Sequence, residues 1–169
     1  MLAKKVHPWI FVLNIIVFSA VLLFDSNGFI DITISNATPL LALPLLTGFS
    51  IFASPKAGAI AGLITGAVLD SVAVGSYCFN AIAFLLIGVL VSLASNNLFN
   101  KNIRAAVALS IIIAVIYYTA YWLTFMAFGV GMKNSLIYLL SYGIPSAFYS
   151  AVFIFPFFYL YKHFDRIAN

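Results

Sequence analysis

Six long apolar runs, separated by short polar connections, account for most of the chain and leave it few ways to fold. They extend from about Trp9 to Phe24, Pro39 to Ala53, Ala57 to Val74, Phe79 to Leu98, Ala105 to Phe128 and Leu136 to Tyr161. A helix needs about 20 mostly apolar residues to cross the roughly 30 Å of a bilayer's hydrocarbon core. Charged residues make up only 7% of the 169 residues, against about 25% in an average soluble domain. With so little charge the chain cannot cover a water-facing surface, and with so much apolar content it cannot stay disordered. The expectation is an all-α membrane protein, a bundle of six transmembrane helices, with residues 1–169 forming a single domain. No small-residue cleavage site follows the first run, which therefore reads as an uncleaved anchor. Pro44 is expected to kink the short second run, and Pro145 and Pro156 fall inside the sixth.

The loop charges set an orientation. With six spans, the N-terminus, the 54–56 turn, the 96–104 loop and the C-terminus share one side. That side carries Lys4, Lys5, Lys56, Lys101, Arg104, Lys162 and Arg166, and the other side carries only Lys133. Basic residues accumulate in cytoplasmic loops, so both termini are expected in the cytoplasm. The cations are scattered in ones and twos and form no stripe beside aromatics, which argues against nucleic acid as a partner.

The third run holds the most specific pattern, Gly58-x3-Gly62-x3-Gly66-x3-Asp70. Steps of four drift by about 40° on a helix, so the three glycines form one smooth ridge. In lipid such ridges let helix backbones approach closely. The ridge can pack within this chain or receive a partner's transmembrane helix. Asp70 is the only acid inside a run, about 21 Å beyond Lys56 and near the outer interface. A carboxylate at the bilayer centre costs roughly 3 kcal/mol, less near the interface. It can bond the 75–80 turn or meet water, or it can contact a partner or ligand.

Reactive constellations are not apparent in the sequence. His7 and His163 stand far apart with no second ligand beside either, so no metal is expected. Cys78 has no His or Asp at helical spacing. An intramembrane aspartyl hydrolase needs two acids in one site, and only Asp70 lies in a run. There is no Gly-x-Ser-x-Gly elbow and no phosphate-cradling glycine loop. Tyr118, Tyr121 and Trp122 share one helical face in the fifth run, and Tyr138, Tyr142 and Tyr149 share one in the sixth. These faces serve packing and lipid contact, or line a cavity opening outward.

The stretch Gly62-Leu-Ile-Thr-Gly66-Ala-Val-Leu-Asp70, continued by Gly75-Ser76 and Asn80-Ala81, resembles the MreD family of bacterial rod shape-determining membrane proteins. The ending is similar too, with Pro145, Ala147, Tyr149 and Pro156 before a short basic tail of Lys162, His163 and Arg166. One place departs: the family often has a glycine two residues before the Asn, and here that residue is Cys78. The resemblance implies a fold similar to the substrate-binding S-components of energy-coupling factor vitamin transporters. It also implies a non-enzymatic scaffold of the cell-wall elongation machinery in the bacterial plasma membrane, with no cofactor. Its partners would be an MreC-like bitopic protein and, through it, an MreB-like filament and the peptidoglycan synthases. Gly58, Gly62, Gly66, Asp70, Gly75 and Asn80 would be its packing or partner-interface residues. The alternative carried by the same likeness is the solute-binding subunit of a vitamin transporter.

Overall fold

A computed structural model describes residues 16–23, 39–72, 78–97, 102–126 and 132–168. Among them every regular element is helical. Residues 16–23 form α1. It is followed by α2 (Ala42–Phe52), α3 (Pro55–Val72), α4 (Phe79–Asn97) and α5 (Ile103–Phe125), then by α6 (Met132–Tyr138), a π-helical turn (Leu139–Gly143), α7 (Ile144–Val152) and α8 (Ile154–Ala168). Among the described residues, two stretches are long and apolar enough to cross a membrane, Ile103–Phe125 and the nearly continuous run Ser135–Ile167.

Proline positions explain several helix starts. Pro55 is the first residue of α3, and Pro44, Pro145 and Pro156 each lie in the first turn of α2, α7 and α8. First-turn amides have no partner within their helix, so a missing N–H costs nothing there. Pro44 therefore opens α2 instead of kinking it, contrary to the expectation from sequence. Pro145 cannot donate to the carbonyl four residues back. The chain widens just before it, and the Ile144 N–H reaches five residues back to the Leu139 carbonyl. The sixth run is also longer than its apolar stretch. The basic tail of Lys162, His163 and Arg166 is helical and belongs to α8.

Large apolar side chains lie on both sides of the helices: Phe84, Phe158, Leu45 and Leu46 are fully buried in the core, while others face outward. Ile60, Ile82 and Leu90 are each more than 60% exposed, whereas Thr47, Ser50, Thr65, Ser92 and Ser150 are almost wholly buried. Exposed bulky aliphatics together with buried hydroxyls are what a helix bundle meant for lipid would show, since small and hydroxylic residues then join helices alongside the apolar core. The buried hydroxyls of Thr47, Thr65 and Ser150 donate to the carbonyls of Leu43, Ala61 and Ser146, one turn back in their own helices.

At the centre lies α2, which packs on α3, α4, α5, α7 and α8. Its 11 residues span only about 16 Å, and nearly all are buried. Both of its ends are closed by other helices. At the start, the Leu40 N–H donates to Ser150 Oγ of α7 at 2.9 Å. At the end, the Ser92 and Ser95 hydroxyls of α4 donate to the Ser50 and Ile51 carbonyls, each at 2.9 Å. The Ser50 and Ile51 carbonyls are groups that a helix end leaves open, and Leu40 stands two residues before the first residue of α2.

The same contacts fix directions. Leu40 meets Ser150 and Gly48 meets Phe157, so α2 and α8 run parallel. The Ser92 and Ser95 bonds make α2 and α4 parallel as well. Gly58 faces Gly88 and Gly66 faces Asn80, so α3 and α4 are antiparallel. Tyr117 meets Phe84 and Asn80 while Tyr121 and Phe125 meet Phe79, so α5 runs antiparallel to α4. One end of the bundle therefore gathers the C-terminal ends of α2, α4 and α8 with the starts of α3 and α5. The other gathers Leu40, Asp70, Cys78 and Phe125.

Candidate helix-joining site at Asp70

The first amides of α4 need acceptors, which a Ser, Thr, Asp or Asn at the preceding position would normally supply. Here that position holds Cys78, exposed and in the left-handed region at φ 61°. The acceptor comes instead from the last turn of α3. The half-buried Asp70 takes the Asn80 N–H on Oδ1 at 3.2 Å and the Ala81 N–H on Oδ2 at 2.8 Å. A carboxylate at a helix N-terminus also meets the positive end of the helix dipole. Asp70 thus caps a neighbouring helix across the hairpin.

The junction continues into α5. The Tyr117 hydroxyl donates to Asn80 Oδ1 at 2.6 Å, and both side chains are buried. The Tyr117 ring packs edge-on against Phe84 and lies near Phe79 and Tyr121. Tyr121 and Phe125 complete an aromatic cluster around Phe79. The fifth-run aromatics are thus committed to one another and to Asn80. Trp122 donates its indole N–H to the Ser135 carbonyl at 2.8 Å, and Tyr138 stacks on Tyr142.

The glycine ridge lies directly below this junction and faces α4. A Cβ on Gly58 would stand 2.5 Å from the Gly88 carbonyl oxygen, one on Gly62 2.1 Å from that of Phe84, and one on Gly66 2.2 Å from that of Asn80. These obstacles are backbone, so no side chain can swing aside. Gly88 completes the seam from the other side, with its own Cβ position 2.1 Å from the Gly58 carbonyl oxygen. The ridge is therefore covered by this chain's own α4. The outward faces of the hairpin are formed by Ile60, Ile64, Val68 and Val72 on α3 and by Ile82, Leu86, Leu90 and Leu93 on α4, all exposed.

Five of the six residues singled out from sequence, Gly58, Gly62, Gly66, Asp70 and Asn80, meet along this one seam. Gly75 lies outside the described residues, as do His7 and the connection between α3 and Cys78. Sequence reasoning missed Gly88, Ser92 and Ser95, whose spacing of four and three residues puts them on one face of α4. It also missed Ser150, whose role depends on a contact 110 residues away. Among the described residues no three of His, Cys, Asp or Glu gather as a metal site would need.

No curated protein and no solved structure matches the chain. The family model for rod shape-determining protein MreD matches residues 4–164, nearly the full length and including the α3–α4 seam. With α1 to α7, most of α8 and the glycine–aspartate hairpin inside that match, the chain belongs to the MreD family of rod shape-determining proteins.

Proposed function

We propose that this chain is a non-enzymatic, multi-pass scaffold of the machinery that maintains rod shape. In this reading it crosses the plasma membrane six times, with both termini in the cytoplasm, and binds an MreC-like bitopic protein. Through that protein it would be linked to an MreB-like filament and the peptidoglycan synthases. The family match is the observation that carries the reading. The packing supports it: Asp70, Asn80, Tyr117, Ser92, Ser95 and Ser150 join one helix to another, as expected of a chain whose task is to hold a shape.

The Gly58–Gly62–Gly66 seam, Asp70 and Asn80 set the form of the α3–α4 hairpin, and in this proposal the partner's transmembrane helix meets the hairpin's outward α3 face. Replacing Ile60, Ile64 and Val68 by Ala together tests this in a rod-shaped host. Trimmed side chains that face only lipid change little, whereas trimming an interface loses packing. The expected result is reduced recovery of the MreC-like partner and rounded cells at unchanged levels of inserted protein. Full recovery and normal rods would exclude that face.

A further inference from the structure

The helix register brings basic residues from three separate segments to one level of the bundle. Leu40 of the α2 entry meets Ser150 across 110 residues, so Phe52, the last residue of α2, lies level with Lys162. On α5, Arg104 is thirteen residues before Tyr117, which meets Asn80. The same step along α4 from Asn80 arrives at Leu93, between the two serines that close α2. Lys56 lies two residues before Gly58, which packs on Gly88 and Ser92 of the same stretch. Lys56, Arg104 and Lys162 therefore ring the bundle where buried α2 stops. Arg166 is one turn farther along α8.

The outer face of α8 shows where the surroundings change. It passes from exposed Phe155 and Tyr159 to exposed His163 and Arg166, an aromatic-to-cationic step within two turns. The opposite face, Phe158, Tyr161 and Phe164, is buried, which holds the helix at fixed depth. The Lys162 ammonium lies 5.8 Å from the centre of the Phe158 ring, at the boundary itself. From Lys162 the helix continues about 9 Å farther. Asp165 is the one carboxylate at this end among the described residues, against four Lys and Arg.

We infer that this level is the inner headgroup plane, and that Lys56, Arg104, Lys162 and Arg166 form a binding surface for anionic phospholipid headgroups. Charge complementarity selects the occupant: several cations fixed at one depth beside exposed apolar helix faces match a phosphate whose own acyl chains run along those faces. Each basic residue near an anionic surface adds attraction, and several together give selectivity. The inference rests on the membrane-spanning reading of the chain.

The test uses the full-length protein purified in mild detergent, mixed with equimolar phosphatidylglycerol and phosphatidylcholine of identical acyl chains, and read by native mass spectrometry. The expected result is preferential retention of phosphatidylglycerol. In K56Q/R104Q/K162Q/R166Q that preference falls about tenfold or more. The charge-conserving K56R/R104K/K162R/R166K retains it, which separates charge from folding. Equal retention of both lipids by the wild type, or a preference undiminished in the glutamine variant, overturns the inference and leaves the membrane reading standing. A protein that stays soluble without detergent and retains neither lipid overturns both.

Discussion

Replacing Gly62 by Ala should destabilise the protein, although Ala is the better helix former by about 1 kcal/mol. The added Cβ would stand 2.1 Å from the Phe84 carbonyl oxygen, where ordinary contact begins at 3.4 Å. The α3 and α4 backbones would have to part locally by about 1.3 Å, the difference between those distances. Overpacking of this kind costs about 1–3 kcal/mol. The same displacement pulls on the Asn80 N–H bond to Asp70, already at 3.2 Å. After the helix-propensity gain, up to about 2 kcal/mol of destabilisation remains, a fall of up to about 8 °C in Tm for a chain of this size. Gly143→Ala is the matched control. Its Cβ meets only the tip of the Leu139 side chain, at 2.9 Å, and the backbone there is helical. That variant should be as stable as wild type or slightly more so. Thermal unfolding of both proteins in one detergent, followed by size-exclusion chromatography, reads the contrast. A Gly62→Ala protein more stable than wild type, by the full helix-propensity gain of about 1 kcal/mol, would refute the close seam between α3 and α4.

Asp70→Ala should cost about 2 kcal/mol, because it leaves the Asn80 and Ala81 amides without an acceptor, and Asp70→Asn should cost less by keeping one acceptor oxygen; chemical unfolding in detergent measures both. Cys78→Gly should stabilise by about 0.5–1 kcal/mol, since φ 61° strains any residue with a Cβ, and a loss of stability would show that the thiol itself is needed. Ser92→Ala and Ser95→Ala should each cost about 0.6 kcal/mol by removing a donor from an α2 carbonyl, read by unfolding in mixed detergents. Tyr117→Phe should cost about 1 kcal/mol while keeping the aromatic cluster, and it should leave the stability of Asp70→Ala further lowered by nearly the same amount if the two bonds are independent.

The parts of this architecture that depend on local pattern could be read from the sequence. The apolar runs, the glycine ridge and the isolated Asp70 are all local patterns, and the 75–80 turn was already a named partner for that carboxylate. What one sequence could not supply was the other side of each contact. The glycines at 58, 62 and 66 announce a smooth face, but only the fold places Gly88 against them. Pro44 read as a kink because its position in the helix was unknown: a proline breaks the middle of a helix and opens its first turn. The family often has a glycine where Cys78 stands, and the left-handed φ there gives the reason a glycine suits it. Ser150 carried no signal at all, since nothing local links it to an amide 110 residues earlier.

The closure of α2 has a consequence for how the chain is made. A segment of about 16 Å is too short to cross a bilayer by itself, and the Leu40 amide just before it finds its acceptor in α7. During synthesis α2 emerges long before Ser150 exists. Its amino end must therefore wait, sheltered by earlier helices or by the insertion apparatus, until the final third of the chain arrives. Release of the chain before α7 would leave the Leu40 amide without Ser150, so the last helices complete the closure around the start of α2.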